Sequence, residues 1–584
     1  MKKHLLITIL SVFSLISSAQ QTEVEIRYHS RIPMRDGITL SATIVKPKTI
    51  QQPLPTLFML TPYIADRNIA SALFFAKHDY VVVTVDTRGR GNSEGICTPF
   101  DTVDGKDGYD VCKWITEQSW SNGKIGMYGG SYVGMTQWQT LKENPPGLKT
   151  IVPAASVCPG IDFPKRNNIF FSYLGPYFVF ISGHTANTYS FSNIEYWSKV
   201  YKRFFSGEIP FDRIIEESGI SGTPVPTWLQ HPLYDDYWQK IIPGPEDYKR
   251  FNVPILTITG YYDDDQHGAM HYYKNHLKYA NPQTQKQHYL IIGPWDHGGT
   301  RSPKTTIGDL VFSNESVVNL EQIHLEWFDW TLKNKEKPEF LKDNVAYYIM
   351  GDEKWAYSGT IDLNQGKTKK YYLSSQGDGK SITSSGLLSP TLVNQKQADI
   401  FQYDPLNLSW INYDLEEGHL VNYSLYKNRE VFKGEGLIYC SDPLETDMRV
   451  SGQIELSLYL EMDVKDADFE ILLYELCENG DFIFLTTDYL RARYKNSLEK
   501  EIMINPGEIT NYTFKTPYIF VRKIEKGSRI VLLIRNLNSP HYQKNFQSGK
   551  SISHETKSDA VKGNFKLYHN TKYPSVLTLP LLNQ

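Results

Sequence analysis

The sequence predicts an α/β domain with a mostly parallel sheet, interrupted by an insertion and followed by an all-β domain. Three observations carry this reading. Short β-rich runs alternate with helical patterns from residue 24 to about 160, the mark of strands joined by crossover helices. The alternation stops from about 161 to 248, where Phe, Tyr, Gly and Pro are scattered through helix-like stretches, and then resumes. Beyond about 340 the helical period disappears and apolar residues recur at every second position, as at Ile454, Leu456, Leu458 and Leu460. A chain of 584 residues has room for three or four domains of about 150 residues each. With 40% hydrophobic and 22% charged residues it can fill several cores, which excludes a single small binding module and a disordered chain.

The elements follow in order. Lys2 and Lys3, an apolar run over 5–16 and the small residues Ser17, Ser18 and Ala19 form the three parts of a secretory signal peptide occupying 1–19. The run is shorter than the roughly 20 apolar residues a membrane span needs, and no other stretch approaches that length. The mature protein is therefore expected to be soluble and exported, periplasmic or extracellular. Strands are expected over 40–45, 56–60, 81–85, 124–128 and 149–152, with an amphipathic helix over 109–116 among them. After the insertion come strands over 254–259 and 289–292. A helix over 317–332 follows, with Val317, Leu320, Trp327 and Phe328 at helical spacing. The α/β domain is thus expected over 20–160 and 249–338, the insertion over 161–248, and an all-β domain, a sandwich or jelly roll, over 339–584.

Charge and cysteines narrow the ligand. Against 65 acidic residues stand 61 Lys and Arg, so no basic field gathers nucleic acid or anionic lipid. A small molecule or short peptide is the expected partner. Five cysteines without a CxxC pair indicate neither a disulfide framework nor a cysteine zinc site. Pairing of Cys97 with Cys112, or of Cys440 with Cys477, stays open. HExxH, Walker A and paired metal-ligand spacings do not occur, so neither a metal nor another cofactor is expected. In Gly89-Arg90-Gly91-Asn92-Ser93-Glu94-Gly95 the third glycine comes one place late for a dinucleotide loop.

The segment that carries chemistry is Gly129-Gly130-Ser131-Tyr132-Val133-Gly134, set between the strand over 124–128 and a helical pattern over 135–141. A serine presented on a sharp strand-to-helix turn needs small neighbours, because the backbone is strained and the helix passes close to the sheet. Two later strands also run into reactive side chains: 254–259 into Gly260-Tyr261-Tyr262-Asp263-Asp264-Asp265, and 289–292 into Gly293-Pro294-Trp295-Asp296-His297. In an open parallel sheet such ends share one rim. The residue types suit acyl transfer. Ser131 needs a base to take its proton, His297 can take and return it, and an ionised carboxylate would hold the imidazole in the right tautomer. Asp263 is the first choice for that carboxylate, with Asp264 and Asp265 as alternatives, whereas Asp296 adjoins His297 too closely in sequence to face it. The Tyr132 N–H and the Tyr63 hydroxyl are candidate donors to the oxyanion. Asp264, Asp265 and Trp295 are the candidate substrate contacts.

These motifs resemble those of the α/β-hydrolases that include cocaine esterase, α-amino-acid ester hydrolase, glutaryl acylases and X-Pro dipeptidyl-peptidases. Further marks of the resemblance are Met34-Arg35-Asp36-Gly37, Thr61-Pro62-Tyr63 and Asp86-Thr87-Arg88-Gly89-Arg90-Gly91-Asn92-Ser93-Glu94-Gly95. The resemblance implies the α/β-hydrolase fold with a helical cap over 161–248 and a C-terminal jelly roll. It also implies a triad of Ser131, Asp263 and His297, with Tyr63 and Tyr132 as the oxyanion hole. The chain departs from amino-acid ester hydrolases, whose carboxylate cluster binds the substrate ammonium. Gln266 follows Asp265, and the early cap reads Lys165-Arg166-Asn167-Asn168 where an acidic partner would stand. The expected function is hydrolysis of acyl esters or amides. X-Pro dipeptidyl-peptidase or amino-acid ester hydrolase activity is the alternative, and a glycan-binding β-domain protein the non-enzyme one.

Overall fold

A computed structural model of the chain describes residues 23–376, 378–395, 397–409 and 436–582; the expected signal peptide lies outside the described residues. The first ten-stranded sheet is built from β1 (Val24–Pro33), β2 (Thr39–Pro47), β3 (Leu54–Thr61), β4 (Val81–Asp86), β5 (Ser121–Gly130) and β6 (Leu148–Ala154). After a short cap hairpin, β7 (Lys165–Arg166) and β8 (Ile169–Phe170), the sheet resumes with β9 (Ile255–Tyr262) and β10 (His288–Asp296). A small hairpin, β11 (Thr306–Ile307) and β12 (Leu310–Val311), precedes its last two strands, β13 (Val345–Ile349) and β14 (Lys354–Ser358). Their order is β1-β2-β4-β3-β5-β6-β9-β10-β13-β14. From β4 to β13 every neighbouring pair is parallel. Such strands are covered on both faces and read as unbroken apolar runs; Val81–Asp86 is buried at every position.

Helices α1 (Ile69–Ala76), α2 (Val103–Thr116), α3 (Tyr132–Lys142), Gln266–Tyr279 and Leu320–Lys333 flank the sheet. α2 extends six residues N-terminal to the stretch its amphipathic pattern marks. Gly105 and Gly108 blur that pattern, and both are there for packing. A Cβ on Gly105 would come within 2.7 Å of the Gln139 carbonyl oxygen, and one on Gly108 within 2.0 Å of Thr140 Oγ1.

The insertion is helical, with α4 (Leu174–Phe180) and Ile194–Phe205 among its helices. Its aromatic core of Phe178, Trp197, Trp228 and Trp238 is continuous with Phe100 and Tyr132 of the α/β domain. The cap therefore packs directly onto the start of α3. The hairpin β13–β14, which lies within the span expected for the C-terminal domain, joins the first sheet: β13 is buried throughout and pairs in parallel with β10.

Among the described residues, the rest of the chain is built from β-strands joined by loops and short 3-10 turns, with an eleven-stranded sheet as its main element. Glu455–Met462 alternates exposed or half-buried with buried positions, the pattern of a strand with one face on the core. All five cysteines are free thiols.

Candidate active site

Because β3, β5, β9 and β10 run parallel, the residues following each gather at one rim. Tyr63 follows β3, Ser131 follows β5, Asp263 follows β9, and His297 follows β10.

Ser131 sits at φ 64°, ψ −126°, a conformation that costs a non-glycine residue about 1–3 kcal/mol and persists only where its surroundings impose it. Here they do. Its N–H donates to the Ala154 carbonyl at 2.9 Å, and its own carbonyl accepts from the Gly134 and Met135 N–H groups. The glycines around it have distinct reasons. Gly129 has φ 128°, and a Cβ there would meet Val133 Cγ1 at 2.4 Å. A Cβ on Gly134 would stand 2.4 Å from Ser156 Oγ, so glycine is what lets α3 lie against the end of β6.

His297 Nδ1 is 2.9 Å from Asp263 Oδ1. Asp263 is fully buried, 0% exposed, and its carboxylate is locked from two sides. Thr259 Oγ1 donates to Oδ2 at 2.9 Å, and the Asp265 N–H donates to Oδ1 at 3.1 Å. Of the three consecutive aspartates, Asp263 is the one that approaches the imidazole most closely and hydrogen-bonds it. Asp296 instead accepts from the Gly299 N–H at 2.6 Å, closing the turn that presents His297.

Tyr63 lies edge-on to Tyr132, with ring centroids 6.3 Å apart, and against Phe180 at 5.7 Å. Burial pushes its phenol up to about 12, against opposing interactions that include hydrogen bonding with the Ser131 side chain. A phenol that keeps its proton at neutral pH is a donor. Tyr132 opens α3, so its N–H has no intrahelical acceptor and faces outward at the helix start.

The candidate substrate contacts separate. Asp265 Oδ2 is 3.5 Å from His297 Nδ1. Burial raises its carboxyl well above the usual range, while His297 opposes the rise. Asp264 has a buried Oδ2 without a hydrogen-bond partner. Burial and then Asp263 raise it, while Arg166 opposes. Trp295, expected to touch substrate, is instead 1% exposed. Its indole N–H donates to the Ser316 carbonyl at 2.8 Å, and its ring lies where a side chain on Gly293 would otherwise stand, Cε2 being 2.4 Å from that Cβ position, while its carbonyl oxygen and Cβ crowd the corresponding positions at Gly260 and Gly299. It is a core residue beneath the histidine loop, because the absence of a side chain at Gly293 leaves room for its ring.

Three features escaped the sequence reading. Asp162, three residues before Lys165, is buried and accepts from the Cys158 and Gly268 N–H groups, each at 2.7 Å. Its charge is felt by Asp265. Gln266 joins the Asp263 loop to the β-domain: Oε1 accepts from the Ile519 N–H at 2.6 Å, and Nε2 donates to the Ile519 and Gly260 carbonyls, each at 2.9 Å. Arg301 rests on Gly130, with Nη1 2.4 Å from where a Cβ would be. No motif signals these positions, since each acts through contacts made by distant chain. Asp263, Asp265 and His297 also have metal-ligand spacing, their donor atoms lying within 4.8 Å of one another. Oδ1 and Nδ1 of two of them already face each other.

Residues 36–299 match the model of the X-Pro dipeptidyl-peptidase (S15 family), and 341–578 match that of the X-Pro dipeptidyl-peptidase C-terminal non-catalytic domain. The cocaine esterase of a Rhodococcus species is 24% identical over 95% of this chain and 98% of its own. Among solved structures, an α-amino acid ester hydrolase superposes with a TM-score of 0.81 at 20% identity, covering 98% of this chain and 100% of its own. An aminopeptidase from a marine sediment Thaumarchaeota archaeon gives 0.79 at 22% identity over the whole of both chains. With both domain models matched in order, the chain belongs to the S15 family of serine hydrolases, an α/β-hydrolase enzyme with a C-terminal all-β domain.

Proposed function

We propose that this enzyme is exported after loss of residues 1–19 and cleaves acyl esters or amides through an acyl-enzyme on Ser131. His297 is the general base and then the general acid, and Asp263 holds its Nδ1–H and stabilises the imidazolium. The observation that carries this is the hydrogen bond between half-buried His297 and buried Asp263 at the same rim as a serine held at positive φ. The proton leaves Ser131 Oγ for Nε2 as the hydroxyl attacks the acyl carbon. The oxyanion takes hydrogen bonds from the Tyr132 N–H and the Tyr63 hydroxyl. Nε2 then returns the proton to the leaving group, and water repeats the sequence to release the acid. Purified protein should hydrolyse p-nitrophenyl acetate and take up a serine-directed phosphonate on the peptide containing Ser131. No hydrolysis and no adduct would defeat the proposal.

A second reading has its own support. Asp265, 3.5 Å from His297 and in the field of Asp162, offers a carboxyl that burial raises and that an incoming substrate α-ammonium group, as α-amino esters and X-Pro dipeptide amides carry, would hold ionised. Comparing kcat/KM for simple acyl esters, α-amino esters and X-Pro dipeptide amides separates the two. Asp265→Asn should weaken only the amino-bearing substrates.

A further inference from the structure

The Tyr132 backbone N–H is useful to an oxyanion only if the first turn of α3 is held in place, yet that turn follows a strained residue. Ser131 at positive φ stores conformational energy that a small rotation at the start of the helix would release. The structure shows what opposes the rotation. The Tyr132 hydroxyl is buried and donates to Asp104 Oδ2 at 2.5 Å, while the Phe100 N–H donates to the same phenolic oxygen at 3.3 Å. Tyr132 is 1% exposed and Asp104 3%, and the Phe100 ring lies 4.9 Å from the Tyr132 ring. Asp104 can reach because Gly105 and Gly108 bring α2 against the Gln139–Thr140 end of α3. The glycines of α2 thus set the distance between a carboxylate and the residue that follows the nucleophile.

We propose that Asp104 is a positioning residue for catalysis, which holds the Tyr132 phenol and thereby aims the Tyr132 N–H at the oxyanion. This rests on the function proposed above. A buried carboxylate accepting from a phenol is a charge-assisted bond, stronger and shorter than a neutral one. Its other neighbours do not compete for that role. The Asp107 carboxylate is taken by Arg88, with contacts of 2.6 Å to each oxygen, and Asp101 bonds the Thr102 N–H. Cys97 also lies within the field of the Tyr132 phenol. Burial raises the Asp104 carboxyl to about 7, with the Tyr132 hydrogen bond opposing the rise and Asp107 and Asp101 adding to it, so the anchor is at full strength in mildly alkaline solution.

The test is a double-mutant cycle in the full chain at about pH 8, reading kcat and KM separately. Complete removal of an oxyanion donor costs about 10²–10³-fold, so misalignment should cost about 10–100-fold. Tyr132→Phe and Asp104→Ala are each expected to lower kcat by about that factor with KM within about threefold. The double variant should lose no more than either single one. Asp104→Asn keeps an acceptor for the phenol and should recover most of kcat. The proposal is overturned if folded Tyr132→Phe retains kcat within about threefold, if the losses multiply, if they appear in KM, or if Asp104→Asn is as slow as Asp104→Ala. Ser131→Ala is run beside them. A fully active Ser131→Ala would sink the triad itself, whereas an inactive one alongside an unchanged Tyr132→Phe would sink only the role of Asp104.

Discussion

Asp263→Asn separates the three consecutive aspartates by chemistry. Asn is nearly isosteric, so the loop should keep its shape, but one carboxylate oxygen becomes an NH2 group. Both oxygens of Asp263 already accept: Oδ1 from His297 Nδ1 and the Asp265 N–H, Oδ2 from Thr259 Oγ1. If the NH2 takes the Oδ1 place, it opposes the Asp265 N–H and forces His297 into the tautomer with its proton on Nε2, which cannot accept from Ser131. If it takes the Oδ2 place, His297 keeps its tautomer but loses the negative charge that stabilises the imidazolium. The corresponding substitution in a serine protease, a measured example for another protein, lowers kcat by about 10⁴, and a loss of about 10³–10⁴-fold is expected here. Asp264→Asn should change kcat by less than about threefold, because Asp264 has no hydrogen bond to the triad. The assay is steady-state hydrolysis of a p-nitrophenyl ester across pH, with thermal melts to establish folding. A folded Asp263→Asn within about tenfold of the parent, or an Asp264→Asn that is the slower of the two, would refute the reasoning.

Three other perturbations follow from the same geometry. Tyr63→Phe should cost about 10²–10³-fold in kcat if its hydroxyl serves the oxyanion, and an unchanged kcat would leave the ring as packing against Phe180 and Tyr132. Asp104 has a carboxyl raised from 3.8 to about 7 when folded, so between these values the folded state binds more protons than the unfolded one and stability falls as pH rises. That change can reach about 4 kcal/mol. Asp104→Asn, which does not ionise, should gain in melting temperature relative to the parent from about pH 5 to 8, and a difference independent of pH would contradict the burial of that charge. Gln266→Glu removes the donors to the Ile519 and Gly260 carbonyls and buries a charge beside the Asp263 loop. It should cost about 2–4 kcal/mol and loosen the loop from the β-domain, whereas an unchanged melt would mean the clamp is dispensable.

How much of this was legible in the sequence depended on whether the signal was local. Strands β3 to β6, β9 and β10 were readable because buried parallel strands are nearly continuous apolar runs, and their ends carried the reactive residues. β1 and α1 were missed; the one has mixed burial and the other lacks a polar face. The start of α2 was hidden by Gly105 and Gly108, which make sense only against α3. Lys165 and Arg166 looked like the absence of an acidic partner. In the structure Lys165 Nζ is bound by the Pro232 and Leu233 carbonyls, each at 2.7 Å, Arg166 bonds Tyr518, and a buried carboxylate, Asp162, stands just before them in sequence. Trp295 was misassigned because an aromatic beside a reactive histidine reads the same in sequence whether it points to substrate or into the core.

Turnover by Ser131→Ala weighs most on the whole account. Loss of the nucleophile in subtilisin, again a measurement on another protein, removes about 2 × 10⁶ of kcat, and a comparable collapse is expected here in protein whose melt matches the parent. A variant lacking the hydroxyl that still turns over near the parent rate would show that the bond-breaking group lies elsewhere.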